Sequence, residues 1–343
     1  MMRKKLGSFF MAVLASCVIG NAAAEGEQVV NIYSARHYES DKALYALFQQ
    51  ETGIKVNELN AAAPELIERI KREGEATAAD VFITVDGGIL HTAKTSGVLQ
   101  PVTSAKALAN IPATLRDSEN YWIGLTTRAR VIVYALDRVQ PAQLSTYEDL
   151  AHPKWKGKVV ARSSTAMYDQ SLLASLIMLD GEKAAGDWVR GIAANFARPP
   201  KGNDRDQAKS IVAGIGDVAL MNTYYIGQML NSRDPEEVRA ARQIGVFFPN
   251  QQSTGTHVNV SGIGLARYAK NRENALRFIE FLTDVRAQEH FSAQNYEFPT
   301  NPKAKKHQLL ESWGTFKTQS IDFSTLGKNN AKAIQLFLQG GWK

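Results

Sequence analysis

Short apolar runs alternate with amphipathic stretches along nearly the whole chain, and that alternation restricts it to an α/β architecture. Val29 to Tyr33 has the composition of a strand. Asp41 to Thr52 follows with Ala43, Leu44, Leu47 and Phe48 on one helical face, Ser40 as its candidate cap and Gly53 as its stop. The pairing recurs as a strand at Ile54 to Val56 before a helix at Pro64 to Glu73, then a strand at Asp80 to Val85 before a helix reaching Gly97. The Pro64 helix begins with proline, and its Glu65–Arg69 and Glu68–Arg72 spacings allow ion pairs on the exposed face.

From Trp122 the rhythm changes. "WIGLTTRARVIVY" (122 to 134) is long, β-rich and bounded by turn residues. Strands at 158–162, 217–221, 245–248 and 257–266 are interleaved with helices at 169–179, 183–197 and 206–213. Helices at 271–282 and 287–294 follow, then a loop with Pro299 and Pro302 and a last helix at 330–339. No repeat, low-complexity tract or linker separates the α/β units. The expected arrangement is two lobes joined by crossing segments at 122–134 and 248–258, one lobe from 25–128 plus 254–302 and the other from 129–253 plus 303–343. A cleft between such lobes is a natural ligand site, and hinge closure is its natural motion.

The first 24 residues form a separate unit, with Arg3, Lys4 and Lys5, an apolar run from Leu6 to Gly20, and a small-residue end at Ala22-Ala23-Ala24. That order predicts an export leader cleaved after Ala24. The run is short for a membrane span of about 20 residues. Lipid attachment at Cys17 is the rival reading, disfavoured because the apolar run continues through Val18-Ile19. Removing the leader's basic residues lowers the formal charge from +6 to +3, a balance that does not call for nucleic acid or an anionic membrane. Cys17 is the single cysteine, so the exported chain has neither disulfides nor thiolate chemistry.

In α/β sheets, ligands sit beyond the carboxyl ends of strands, near helix N-termini. Tyrosines occupy three such corners: Tyr38 in "SARHYESD", Tyr168 in "SSTAMYDQS", and Tyr224 with Tyr225 in "MNTYYIGQML". A phenol is neutral near pH 7, with a pKa of about 10. A highly charged hard cation favours its ionised oxygen, whereas softer metals favour sulfur. Four phenolates around a 3+ ion leave one surplus negative charge, which Arg128 or Arg130 on the long strand can offset. The plainer reading is that tyrosines pack with their hydroxyls at wet edges, as expected of Tyr33, Tyr45, Tyr134 and Tyr147. His37 is either a loop histidine or a fifth donor.

These segments carry a resemblance. "NIYSARHYESDKALYALFQQETGIKVN", "GLTTRARVIVY", "HPKWKGKV", "STAMYDQSLLASL", "DVALMNTYYIGQ" and "NVSGIGLARYAKNRENALRFIEFLTDVRAQEHFSAQNYEFPTNP" resemble the periplasmic ferric-iron-binding proteins of bacterial iron ABC importers, in particular their His-Tyr group. The resemblance spans nearly the whole exported chain. It implies the two-lobed class II solute-binding fold and iron ligands at Tyr38, Tyr168, Tyr224 and Tyr225, with His37 at a position that ligates in some members only. It implies a place for Arg128 beside the metal or a companion anion such as carbonate. It also implies Fe³⁺ as cargo, an inner-membrane ABC permease with its ATPase as partner, a monomer, and a periplasmic location.

Other functions fit less well. No Gly-x-Ser-x-Gly elbow, phosphate loop, dinucleotide fingerprint or His-Glu-x-x-His is present, and the six histidines lack metal spacing, so an enzyme is not expected. The same fold binding a polyamine would place carboxylates such as Asp86 in the cleft, although Asp86 also suits a helix cap. Binding a small oxyanion would use Arg128 and need no cluster of phenols.

Overall fold

The computed structural model describes residues 28–36 and 38–343; the leader, Cys17 and His37 lie outside the described residues. Ten strands form a mixed sheet: β1 (Val29–Ser34), β2 (Lys55–Asn60), β3 (Val81–Thr84), β4 (Leu99–Gln100), β5 (Trp122–Ala135), β6 (Val159–Val160), β7 (Val218–Asn222), β8 (Ile244–Phe247), β9 (Val258–Ala266) and β10 (Phe298–Pro299). Its main path runs β2-β1-β3-β9-β5-β7-β6. β1 pairs in parallel with β2 and β3, and β6 with β7, whereas β9 is antiparallel to β3 and β5.

β5 holds the molecule together. All of its side chains are buried. Its first part, Trp122 to Ala129, pairs with β9, and from Arg130 onward it pairs with β7 and β8 instead. The partners change within one residue, so one continuous strand belongs to two half-sheets. The chain returns from β8 to β9 through residues 248–257, a turn-rich connection with Asn250 at φ 61° rather than a strand.

Helices cover both half-sheets: α1 (Asp41–Thr52), α2 (Ala63–Glu73), α3 (Gly87–Thr95), α4 (Ala105–Asn110), α5 (Met167–Asp180), α6 (Glu182–Ala194), α7 (Asp204–Val212), α8 (Thr223–Leu230), α9 (Pro235–Gln243), α10 (Arg272–Thr283), α11 (Val285–His290), α12 (Gln308–Ser312), α13 (Ser324–Lys328) and α14 (Asn330–Gly340). One core joins Val30, Ile32, Phe48, Ile83, Ile263 and Phe278 around β1, β3 and β9. Another joins Val131, Val133, Ile211, Met221, Ile226 and Met229 around the far half of β5 and β7.

Local expectations are corrected at several points. Ser40 precedes α1 but makes no side-chain cap; its hydroxyl instead meets the Asn295 side chain. Gly53 does stop α1, at φ 70° with its N–H on the Gln49 carbonyl. In α2 the pairs are Arg69 with Glu73 and Lys71 with Glu68, because Arg69 turns toward the Glu73 carboxylate that Tyr33 and Thr77 also approach. The helix expected at 287–294 ends at His290 and continues as a π turn over Phe291–Asn295.

Candidate metal centre

Each of the corner tyrosines stands where a helix begins or is about to begin. Tyr168 is in the first turn of α5, Tyr224 and Tyr225 are in the first turn of α8 directly after β7, and Tyr38 precedes α1. β7 is buried along its length, so the chain leaving it must turn in the interior, and α8 starts there without a side-chain cap. Tyr224 is essentially buried, at 1% exposure.

The fold brings these rings together. The Tyr224 hydroxyl donates to the Tyr168 oxygen at 3.1 Å. The Tyr38 ring meets Tyr224 edge-on with centroids 5.9 Å apart, and the Tyr224 and Tyr225 centroids are 4.3 Å apart. Tyr38 comes from the β1 side and the others from the β7 side, so the cluster straddles the place where β5 changes partners. A cavity of about 430 Å³ opens beside Tyr38, Tyr224 and Tyr225.

Guanidinium groups surround this cluster. Arg162, Arg128 and Arg130 lie 5.4, 5.8 and 5.9 Å from the Tyr168 ring centre, Arg36 lies 4.6 Å from that of Tyr38, and Arg205 lies 5.7 Å from that of Tyr225. All but one are neutralised by carboxylates. Arg36 bonds Asp41 at 2.8 Å and Glu297 at 3.0 Å. Arg130 bonds Asp169 at 2.6 Å and Asp204 at 2.9 Å, and Arg162 shares Asp204 at 2.9 Å. Arg205 bonds Glu237 at 2.6 Å and donates to the Gln228 amide oxygen at 2.8 Å.

Arg128 is the exception. It is 1% exposed, donates to the Ser261 hydroxyl at 3.3 Å, and its Nε has no partner. No carboxylate of the described residues lies within ion-pairing distance of it. A buried cation without a counter-charge is costly, so this site has room for negative charge. Arg130, expected to share that duty, is instead committed to Asp169 and Asp204.

Burial sets the protonation of these phenols. It pushes Tyr224 well above the ordinary phenol range, with Tyr168, Tyr38 and Tyr225 adding to the effect. Tyr225 is pushed up to about 12, mainly by burial. Tyr38 is also pushed well up, by burial and then Glu297 and Tyr168, against the pull of Arg36 and Arg128. Ionisation of these groups therefore needs a strong local positive charge. Among the described residues no group of three or more His, Cys, Asp or Glu side chains is placed to hold a metal ion. Phenol oxygens are the donors this cleft offers.

Asp86, the carboxylate a polyamine site would need, is occupied. It caps α3 through the Ile89 N–H at 3.0 Å and accepts from Ser171 at 2.5 Å and Asn259 at 2.7 Å.

The sequence matches the bacterial extracellular solute-binding protein family over residues 43–318. The chain belongs to this family. It is 47% identical over 317 residues to iron uptake protein A1 of Synechocystis, covering 92% of this chain and 88% of that one. Among solved structures it is similar to a Trichodesmium protein, IdiA (FutA), in complex with iron and citrate, with 48% identity, a TM-score of 0.87, and coverage of 92% and 100% of the two chains. The ferric binding protein of Campylobacter jejuni also has a TM-score of 0.87, with 42% identity and the same coverage. The fold is thus the two-lobed one of the periplasmic iron-binding proteins, with β5 as the crossing strand. The ionic frame of Arg36, Glu297, Asp169, Asp204, Arg162 and Arg205 was not visible in the sequence; the placing of Arg36 within "SARHYESD" was its only local sign.

Proposed function

We propose that this protein captures ferric iron in the periplasm and delivers it to an inner-membrane ABC permease with its ATPase. Tyr38, Tyr168, Tyr224 and Tyr225 supply phenolate oxygens, and Arg128 offsets the surplus negative charge. The observation that carries this reading is the convergence of four tyrosines from three strand–helix corners on one buried point beside an uncompensated guanidinium. The names of the family relatives, which speak of iron uptake and ferric binding, point the same way. The spent carboxylate of Asp86 argues against a polyamine, and an oxyanion would leave the phenol cluster without purpose. The role is capture and transport, not catalysis.

In this mechanism the lobes are 25–128 plus 254–302 and 129–253 plus 303–343. The second lobe presents Tyr168, Tyr224 and Tyr225 to the ferric ion, and their protons leave as the metal binds. Closure about β5 then brings in Tyr38 and excludes water, to the extent that the metal favours the closed state. His37 adjoins Tyr38 in sequence and is a candidate fifth donor. A carbonate or citrate oxygen is the alternative, held by Arg128. The protein acts as a monomer, exported by its leader. Protonation of the phenolates, reduction of the metal, or docking on the permease releases the cargo.

The test is a visible absorption titration of the exported chain with a ferric chelate, beside the Tyr224→Phe, Tyr225→Phe double variant. A phenolate-to-iron charge-transfer band saturating near one equivalent, and lost in the variant, is the expected result. A colourless parent protein that ignores ferric iron would rule the reading out.

A further inference from the structure

Gly227 is in the interior of α8, where alanine would be the better helix former. The reason for glycine is a close approach. A Cβ at this position would lie 2.2 Å from Cγ, 2.5 Å from Cβ and 2.6 Å from Cδ1 of Tyr296, well inside contact distance. Of these atoms Cβ is fixed by the Tyr296 backbone, so a rotamer change that moves the ring still leaves an overlap at 2.5 Å.

The Tyr296 backbone is fixed as well. It sits at φ 58°, in the left-handed region that non-glycine residues seldom adopt, directly after the π turn. Both of its neighbours are tied to the loop that carries Tyr38. Asn295 donates to Asp41 at 3.0 Å and meets the Ser40 hydroxyl, and Glu297 binds Arg36 at 3.0 Å, whose guanidinium lies 4.6 Å from the Tyr38 ring centre. These bonds tie the segment 295–297 to Arg36, Ser40 and Asp41, the residues on either side of Tyr38.

This segment belongs to the half containing β1, because Phe291 of the same π turn packs in that core. α8 belongs to the other half, through Ile226 and Met229. The Tyr296–Gly227 contact thus joins the two halves on the helix that bears Tyr224 and Tyr225. Tyr224 is three residues from Gly227, so both lie on one face of α8, and that face also receives Tyr38.

We propose that Tyr296 and Gly227 form an interlock between the lobes: the ring seats in the notch left by the missing Cβ, and only when it seats does Tyr38 reach its place beside Tyr224. Both are positioning residues that set how firmly the closed state holds its cargo. This consequence rests on the metal reading, whereas the interlock itself rests on the contact.

The experiment is a double-mutant cycle on the exported chain, loaded from ferric citrate and challenged with excess EDTA. G227A props the ring out of its notch and should release iron on the order of 10–100-fold faster than the parent, with its charge-transfer band weakened by loss of Tyr38. Y296G should also release faster, but adding G227A to Y296G should change nothing further, because neither ring nor Cβ remains to clash. G227A alone should unfold at the same temperature as the parent or higher, which separates positioning from general damage. Equal release from G227A and parent, or the same acceleration by G227A in both backgrounds, would overturn the interlock. Absence of the band from the parent would refute the metal reading alone. The interlock is then read by small-angle scattering of the metal-free proteins, with G227A larger than the parent and G227A/Y296G not; equal radii would overturn it.

Discussion

Arg128 is the residue on which the electrostatic reasoning can be tested most directly, because its replacement should move two measurements in opposite directions. In the metal-free protein its charge is buried, with the Ser261 hydroxyl at 3.3 Å and, among the described residues, no carboxylate in ion-pairing distance. Arg128→Met keeps the volume and removes the unpaired charge, which should stabilise the metal-free fold on the order of 1–4 kcal/mol. With the proposed four phenolates around a ferric ion, the same charge opposes a surplus negative one. Taking the 5.8 Å between the guanidinium and the Tyr168 ring centre as the separation, an effective dielectric of about 20 gives an attraction of roughly 3 kcal/mol, or about a hundredfold in affinity. The variant should therefore melt a few degrees higher without metal, and lose ferric iron to citrate at a concentration about a hundredfold lower. Thermal unfolding of the stripped protein and a chelator competition followed at the charge-transfer band measure the two effects. A variant that melts lower and binds iron like the parent would make Arg128 an ordinary structural cation with no part in holding the metal.

Two further outcomes follow from the frame around the site. His257 is buried in the return to β9, with Nδ1 at 2.9 Å from the Gln319 oxygen and Nε2 without a partner, and burial lowers its pKa to about 4. The folded protein thus refuses a proton that the unfolded chain accepts below an ordinary histidine value of about 6.5. Stability should fall as the pH drops through the window from 6.5 to 4, by up to about 3 kcal/mol, and His257→Gln should remove that part of the slope in urea unfolding. Asp204 binds Arg130, Arg162 and the Asn222 N–H, each within 2.9 Å. Asp204→Asn leaves the buried Arg130 with Asp169 alone and the part-buried Arg162 without its carboxylate, and should cost about 3–5 kcal/mol in the same assay.

Much of the site was legible because strand–helix junctions leave local marks. An apolar run that stops at a polar corner, followed by a helical stripe, located Tyr38, Tyr168 and the Tyr224–Tyr225 pair without any long-range knowledge. Elements lacking such marks were missed or shortened. The sequence marks a strand only at Ile54 to Val56, but β2 runs to Asn60 as a largely exposed edge strand, "KVNELN", whose hydrogen bonds come from pairing with β1. α9, "PEEVRAARQ", buries only Ala240 and Ala241 and so shows no apolar stripe. The two arginines of β5 illustrate the deeper limit. Arg128 and Arg130 are two residues apart and project to the same face of the strand, so the sequence treats them as equivalent. Pairing distinguishes them: Arg130 lies opposite Asn222 of β7, within reach of Asp169 and Asp204, while Arg128 lies opposite Asn259 of β9, whose neighbouring acid, Asp86, is held by Asn259 and Ser171.

That difference explains how a cleft with few free charges can be selective. Arg36, Arg130, Arg162 and Arg205 are matched by Asp41, Glu297, Asp169, Asp204 and Glu237, so under the proposed function Arg128 and the phenols decide what enters. While the phenols of Tyr38, Tyr224 and Tyr225 keep their protons, the charge beside them that no ion pair matches is the buried Arg128, which repels a weakly held cation. A cation gains a foothold only by displacing those protons, and each displacement works against the burial that raises Tyr38, Tyr224 and Tyr225. The Coulomb return from each new phenolate scales with the charge of the ion, whereas the cost of deprotonation does not. A trivalent ion therefore recovers half as much again per ligand as a divalent one at equal distance, and the difference accumulates over the ligand set. Discrimination on this account lies less in the geometry of the oxygens than in how firmly the protein holds their protons beforehand.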